Sequence, residues 1–278
     1  AGTIRWGGFG GLQSSTAVEI NKKAGGLFEA QNDSPIQHFS LSVPAVFNNA
    51  GTFRKNGGTN VTTIQRVVFQ NTGKVEVQTG TLAFPDGFTN SGSFDVAADA
   101  KLDLAGGKVV LQSGSAIGGA GFYGVTGRVD VQGTIDSPNF QLIGTLLGTN
   151  TLSGRIVWPT GTINSKLTIA AGGVLELSGS DQKQLVESTI NNAGTIRWSG
   201  TGGLQSSTAV EINNQAGGLF VAQNDSPLQH FSFSVPAVFR NAGIFRKNGG
   251  TNVTTIQRVA FQNTGKVEVQ TGTLAFPD

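Results

Sequence analysis

The chain of 278 residues carries a formal net charge of +2, and Asp, Glu, Lys and Arg make up only 13% of it, about half the share usual in soluble proteins. Its basic residues form no patch interleaved with aromatics, which excludes the electrostatic footprint of nucleic-acid binding, and no apolar run approaches the ~20 residues of a membrane-spanning helix. Cys is absent, excluding disulfides and thiolate metal sites, while an apolar content of 37% is enough to build a core.

The 41 glycines follow no collagen-like period and so signal many tight turns. Met is absent as well, and a chain without either sulfur residue lacks the side chains most readily oxidised, which suits an exposed extracellular material. No charged segment leading into an apolar one opens the chain, so any signal peptide is expected upstream of it.

Self-similarity dominates the sequence. Ala1-Gly2-Thr3-Ile4-Arg5-Trp6 returns 192 residues later as Ala193-Gly194-Thr195-Ile196-Arg197-Trp198, and the match runs without a gap to Asp278. Ten positions differ, among them Glu29 (Val221), Leu41 (Phe233), Asn48 (Arg240) and Thr52 (Ile244). This is a tandem array. Residues 1–192 read as one full unit and 193–278 as a partial second unit of one continuous solenoid. Neither end carries the polar cap that a solenoid needs, so the chain is expected to be an excerpt of a longer array.

A shorter beat runs inside the unit. Asn49-Ala50-Gly51-Thr52-Phe53, Asn71-Thr72-Gly73-Lys74-Val75, Asn90-Ser91-Gly92-Ser93-Phe94 and Asn192-Ala193-Gly194-Thr195-Ile196 share the pattern Asn-small-Gly-x-apolar, with Gly2 and Gly26 in the same place. From Gly2 to Gly92 the steps are 24, 25, 22 and 19 residues. In chain order, the position two after each glycine predicts an inward column of Ile4, Phe28, Phe53, Val75 and Phe94. The next position predicts an outward column of Arg5, Glu29, Arg54, Glu76 and Asp95, where opposite charges on neighbouring coils fix register. Residues 73–78 alternate polar and apolar, Thr79-Gly80 turns, and Thr81-Leu82-Ala83-Phe84 starts another strand. Arg128-Val129-Asp130-Val131 and Val174-Leu175-Glu176-Leu177 repeat the alternation. Asp181-Gln182-Lys183-Gln184-Leu185-Val186-Glu187 alone has the look of a short helical turn. The fold class is therefore all-β, a right-handed parallel β-helix (β-solenoid) with coils of about 19–25 residues. Asn in the turns tolerates left-handed backbone and can stack into ladders, while positions that differ between copies, such as Lys22 and Asn214, are expected on an exposed surface.

Candidate chemistry is sparse. His38 and His230 are one position in two copies, without the second His, Cys or carboxylate group that a metal site or triad requires. Gly119-Ala120-Gly121-Phe122-Tyr123-Gly124 matches a dinucleotide-binding string, but no helix follows it, so it reads as a turn. Asp95, Asp99 and Asp103 with Lys101, and Asp130 with Arg128, are the densest carboxylates, which could bind Ca²⁺ or serve polysaccharide lysis if stacked together. Asp95 and Asp103 alternate with Phe94, Val96, Leu102 and Leu104, which favours a solvated outer face. The glycine-rich nonapeptide of Ca²⁺-binding β-rolls is absent. No catalytic, cofactor-binding or metal residue is assigned, and no cofactor is expected.

The pattern of residues 49–55 and 71–82 resembles the large repetitive bacterial surface proteins built from β-helix repeats, the group of autotransporter passengers and filamentous haemagglutinin-like adhesins. The resemblance implies a right-handed parallel β-helix, secretion and an extracellular or cell-surface place. With it the expected function is a structural fibre or surface filament, not an enzyme, that self-associates into fibres or lateral bundles. An adhesin contacting glycans or a host surface is the alternative, and a polysaccharide lyase or hydrolase the remote one.

Overall fold

The computed structural model describes residues 2–277. Among them are 34 strands and no helix, and every paired strand runs parallel to its partner in the next coil. The chain winds through about twelve turns of a β-solenoid. It forms two compact units, residues 1–140 and 141–278, so the boundary between sequence repeats at 192/193 falls inside the second unit.

Most coils hold three strands, two of which merge into one long strand in the middle of the chain, and each strand pairs with its counterpart a full coil later. In the first unit, one sheet stacks Thr3–Trp6, Leu27–Ala30, Thr52–Lys55, Lys74–Val77 and Ser93–Val96. A second stacks Leu12–Ser14, Ile36–His38 and Val61–Gln65, and a third Val18–Lys22, Ala45–Asn49, Val68–Asn71 and Gly87–Asn90. The 11-residue strand Lys101–Leu111 serves two sheets, pairing with Thr81–Ala83 at its start and Gly87–Asn90 at its end. Gly107, at φ 74°, makes the bend between them.

The register follows the glycine steps read from the sequence. Ile4, Phe28, Phe53, Val75 and Phe94 are successive partners, as are Arg5, Glu29, Arg54, Glu76 and Asp95. Gly51, Gly73 and Gly92 lie over one another. A β-carbon on Gly73 would collide with the Gly51 carbonyl, and one on Gly92 with that of Gly73. Glycine is required there because backbone rests on backbone.

The apolar columns meet in the middle of the coil. In the first unit Phe28 stacks on Phe53 with centroids 5.3 Å apart, and Phe47 of the third sheet packs edge-on against both. In the second unit Phe220, Phe245 and Phe239 repeat this arrangement. Offset and edge-on contacts of this kind add to the gain from burying the rings.

At the turn leaving the third sheet the inward position is polar. Asn49 Nδ2 donates to Asn71 Oδ1 at 2.7 Å, and Asn71 Nδ2 to Asn90 Oδ1 at 2.8 Å. In the second unit the chain of donors runs Asn192, Asn214, Asn241, Asn263 at 2.8, 2.7 and 2.7 Å. Each amide also reaches a backbone carbonyl, as Asn49 does Lys74 O at 2.9 Å. The expectation that Lys22 and Asn214 sit on an exposed surface is overturned: both are buried. Each ends a third-sheet strand and faces inward in register with the Asn of the next coil. Lys22 sends its amine to the Gly2 carbonyl at 2.5 Å, and the buried Asn49 Oδ1 above it has no partner. Asn241 Oδ1, its counterpart, is satisfied by Asn214.

The helical turn expected at 181–187 is also overturned. Lys183–Leu185 is a strand, paired with Gly161–Ile163 on one side and Leu204–Ser206 on the other. Two flanking strands outweigh a weak helical pattern too short to sustain a helix.

Exchange of Lys22 for the residue of the second copy, Lys22→Asn, is expected to stabilise the protein by about 1–3 kcal/mol by satisfying Asn49 Oδ1. Urea unfolding would show this as a higher midpoint at unchanged slope, and Asn214→Lys would lower the midpoint.

Candidate functional site

Four features gather the polar chemistry of the chain. On the outer face of the first sheet, Glu29 is bracketed by Arg5 at 3.0 Å and Arg54 at 3.5 Å, and Arg54 reaches on to Glu76 at 2.5 Å. Glu76 and Asp95 are like-charged neighbours, and Lys74 lies between them at 2.8 and 3.3 Å. Burial alone would raise the Glu76 carboxyl, but hydrogen bonds and charge from Lys74 and Arg54 outweigh it and hold the group below its ordinary value. In the second copy the ladder is interrupted at Val221, and Arg246 pairs with Glu268 alone at 2.5 Å.

The second feature lies inside. Lys55 and Lys247 are fully buried. Lys55 Nζ donates to Asp33 Oδ1 at 2.8 Å and to the carbonyls of Asn32 and Gly57 at 3.1 and 2.9 Å. Lys247 repeats these bonds to Asp225, Asn224 and Gly249 and adds Thr254 Oγ1 at 3.0 Å. Ala30, one coil below Lys55 in the same column, leaves space for the stem. Each amine clips two coils together, since residues 33 and 55 belong to successive coils. For Asp33 burial pushes the carboxyl up, but the hydrogen bonds from Lys55 and the Asn60 backbone, with the Lys55 charge, hold it below 3.8. The hydrogen bond from Lys247 does the same for Asp225.

Lys183 is the exception. It is equally buried, between Gly161 and Leu204 in register, but its amine reaches only the Asp181 carbonyl, at 2.7 Å. Desolvation therefore pulls its pKa below 10.5, with Asp181 opposing weakly.

The third feature is a loop. His38 and His230 are buried. His230 Nδ1 lies 2.7 Å from Ser206 Oγ and Nε2 lies 2.8 Å from the Val235 carbonyl, so Nε2 carries the proton and Nδ1 accepts from the serine. His38 makes the same contacts to Ser14 and Val43, each at 2.7 Å. This orients a hydroxyl towards an imidazole, as a nucleophile pair would need, but Ser206 is buried as well. What the pair does is anchor the segment that follows. Ser40 and Ser42 bond to each other at 3.1 Å, and Leu41 between them is 89% exposed. Phe233, at 87%, holds the same place in the second copy, with the Arg258 guanidinium 4.3 Å from its ring centre. Phe39, Val43, Phe231 and Val235 are exposed too. The sequence reading assigned these loops no role; alternating apolar residues and serines before Pro44 and Pro236 were the available signal.

The fourth feature, the carboxylate group, is dispersed. Asp95 lies in a first-sheet strand, Asp103 in the second sheet and Asp130 opposite Lys108 in the third. Asp103 accepts from Thr126 at 2.7 Å and lies 3.7 Å from Lys101, Asp130 faces Gln132, and Asp99 is exposed. Phe94, Val96, Leu102 and Leu104 are buried, as the alternation implies. Among the described residues no three His, Cys, Asp or Glu side chains gather closely enough to hold a metal ion. The glycine string 119–124 joins Ala116–Gly118 to Phe122–Ile135, strand to strand, with Gly119 at φ 97°.

No known protein family, curated protein or solved structure matches the chain.

Two titration experiments follow. Asp33 and Asp225 have depressed native pKa values, so their contribution to stability is complete above 3.8 and is lost as pH falls through the lower native value. Asp33→Asn with Asp225→Asn should flatten the acid limb of a stability curve followed by circular dichroism. For Lys183 the unfolded chain binds more protons than the native one between the lowered pKa and 10.5, so stability rises with pH across that window. Lys183→Met should raise stability at neutral pH and abolish the rise.

Proposed function

We propose that the chain is part of a non-catalytic extracellular or cell-surface fibre, built from tandem units and able to self-associate laterally. The observation that carries this reading is that buried polar side chains bond from one coil to the next along the stack. The Asn49–Asn71 bond and the Lys clips recur at equivalent positions 192 residues apart. A scaffold of this kind lengthens by adding coils without a new core, which is how solenoids are used. The carboxylates that a polysaccharide-cleaving site would need lie on three different sheets.

Lateral contact is supported by the loops at 39–43 and 231–235. Each holds apolar side chains outward on a Ser-His anchor whose imidazole is buried, and exposed apolar groups in a cluster mark contact surfaces. The same loops favour a second reading, an adhesin touching glycans or a host surface.

Electron microscopy of the purified chain and of longer arrays should show filaments that lengthen with the number of units; compact globular particles would overturn the fibre reading. Leu41→Ser with Phe233→Ser should leave the unfolding free energy within about 0.5 kcal/mol of wild type while sedimentation shows bundling lost. A glycan array bound by the parent and not by this variant would instead support the adhesin.

A further inference from the structure

The turn leaving the first sheet carries a chemical property independent of the fibre reading. Asn56-Gly57 and Asn248-Gly249 are the only Asn-Gly pairs in the sequence. In both copies the Asn Oδ1 is buried without a hydrogen-bond partner, and the backbone N–H of the following glycine makes no hydrogen bond among the described residues. The turn is partly exposed in each copy. Packing itself demands the glycine: a β-carbon on Gly57 would collide with the backbone of Gln31, and one on Gly249 with that of Gln223. The coil stack therefore places after each of these asparagines the one residue whose amide nitrogen is unobstructed by a side chain.

We propose that Asn248-Gly249 is a site of spontaneous deamidation in the folded chain, and that Glu29 protects the equivalent Asn56-Gly57. Hydroxide removes the proton from Gly249 N, which attacks Asn248 Cγ. The new C–N bond closes a five-membered imide, the Cγ–Nδ2 bond breaks, and ammonia leaves with a proton from water. Water then opens the imide at either carbonyl, giving Asp or, with the backbone routed through the side chain, isoaspartate. The sum is amide plus water to acid plus ammonia.

The two copies differ in what surrounds the amide. Asn56 Nδ2 donates to Glu29 Oε1 at 3.2 Å, and the carboxylate formed on deamidation would face that of Glu29. The second copy has Val221 at this place, in register one coil below Arg246, so neither restraint exists there. The change falls next to the Lys247 clip, whose amine donates to the Gly249 carbonyl at 2.9 Å. A backbone lengthened at 248 would shift that acceptor and loosen the Lys247 clip.

The test is peptide mapping by mass spectrometry of the intact chain held in mildly alkaline buffer, beside the same chain unfolded in urea. Asn248 should convert several-fold faster than Asn56 in the folded chain, with isoaspartate as the main product and the asparagines of the buried ladder unchanged. Glu29→Val, which installs the second copy's own residue, should bring Asn56 up to the rate of Asn248. The proposal fails if Asn248 stays an amide in the folded chain over the time that converts it in urea, or if Glu29→Val, shown folded by circular dichroism, leaves Asn56 unchanged.

Discussion

A side chain that points into the stack can find hydrogen-bond partners only in its own coil or in the coils directly above and below, and the rest of the structure follows from this constraint. An apolar residue satisfies it by packing, as the Phe28, Phe53 and Phe94 column does. A polar residue repeated in one column of successive coils must give in one direction and accept from the other. Asparagine does both, and its Nδ2 points the same way in every coil of the ladder, from Asn49 to Asn90 and from Asn192 to Asn263. A slip of one residue would turn the whole column outward, so the ladder specifies register where the apolar columns supply most of the stability.

The buried lysines show what the same constraint does to charge. Lys55 and Lys247 are held inside by a carboxylate and a carbonyl of the coil below and by a carbonyl of their own turn. Lys183 has the same burial and one carbonyl. An unpaired buried charge is costly and lowers its pKa rather than bearing the full penalty. One residue type thus fastens two coils in two places and opposes folding in a third, and the difference lies in whether the neighbouring coil brings a carboxylate to the amine.

The coil period, the inward Phe column and the outward charge ladder were legible in the sequence because all three follow from spacing after a glycine, and spacing is what parallel stacking preserves. The position of Lys22 was not: a lysine that differs between copies looks like a surface residue, and only the register with Asn49 shows that it faces inward. Lys183–Leu185 was misread for a related reason, since three residues carry too little pattern to outweigh a charged neighbourhood and its identity as a strand comes from Gly161 and Leu204 on either side. The loops at 39–43 and 231–235 interrupt the period and leave no stacked partner to compare. Their outward apolar groups are fixed by a His five residues away, a contact that spacing does not encode.

The differences between the two copies obey the same division between inside and outside. Two of the ten fall on side chains that point into the stack. Ile36 becomes Leu228, a change that conserves volume where both are buried, and Lys22 becomes Asn214, which completes a hydrogen-bond chain. Glu29 to Val221 is the most consequential of the outward changes, because it removes the acceptor that Arg5 and Arg54 share and leaves Val221 buried beside the pair Leu219 and Ile244. The first sheet of the second copy thereby exchanges a charged outer ladder for a partly apolar one while Phe220 and Phe245 keep the inward stacking of Phe28 and Phe53. A stack whose coils are tied through their interior can change its outer face independently in each copy, and this separation allows one scaffold to present different surfaces along its length.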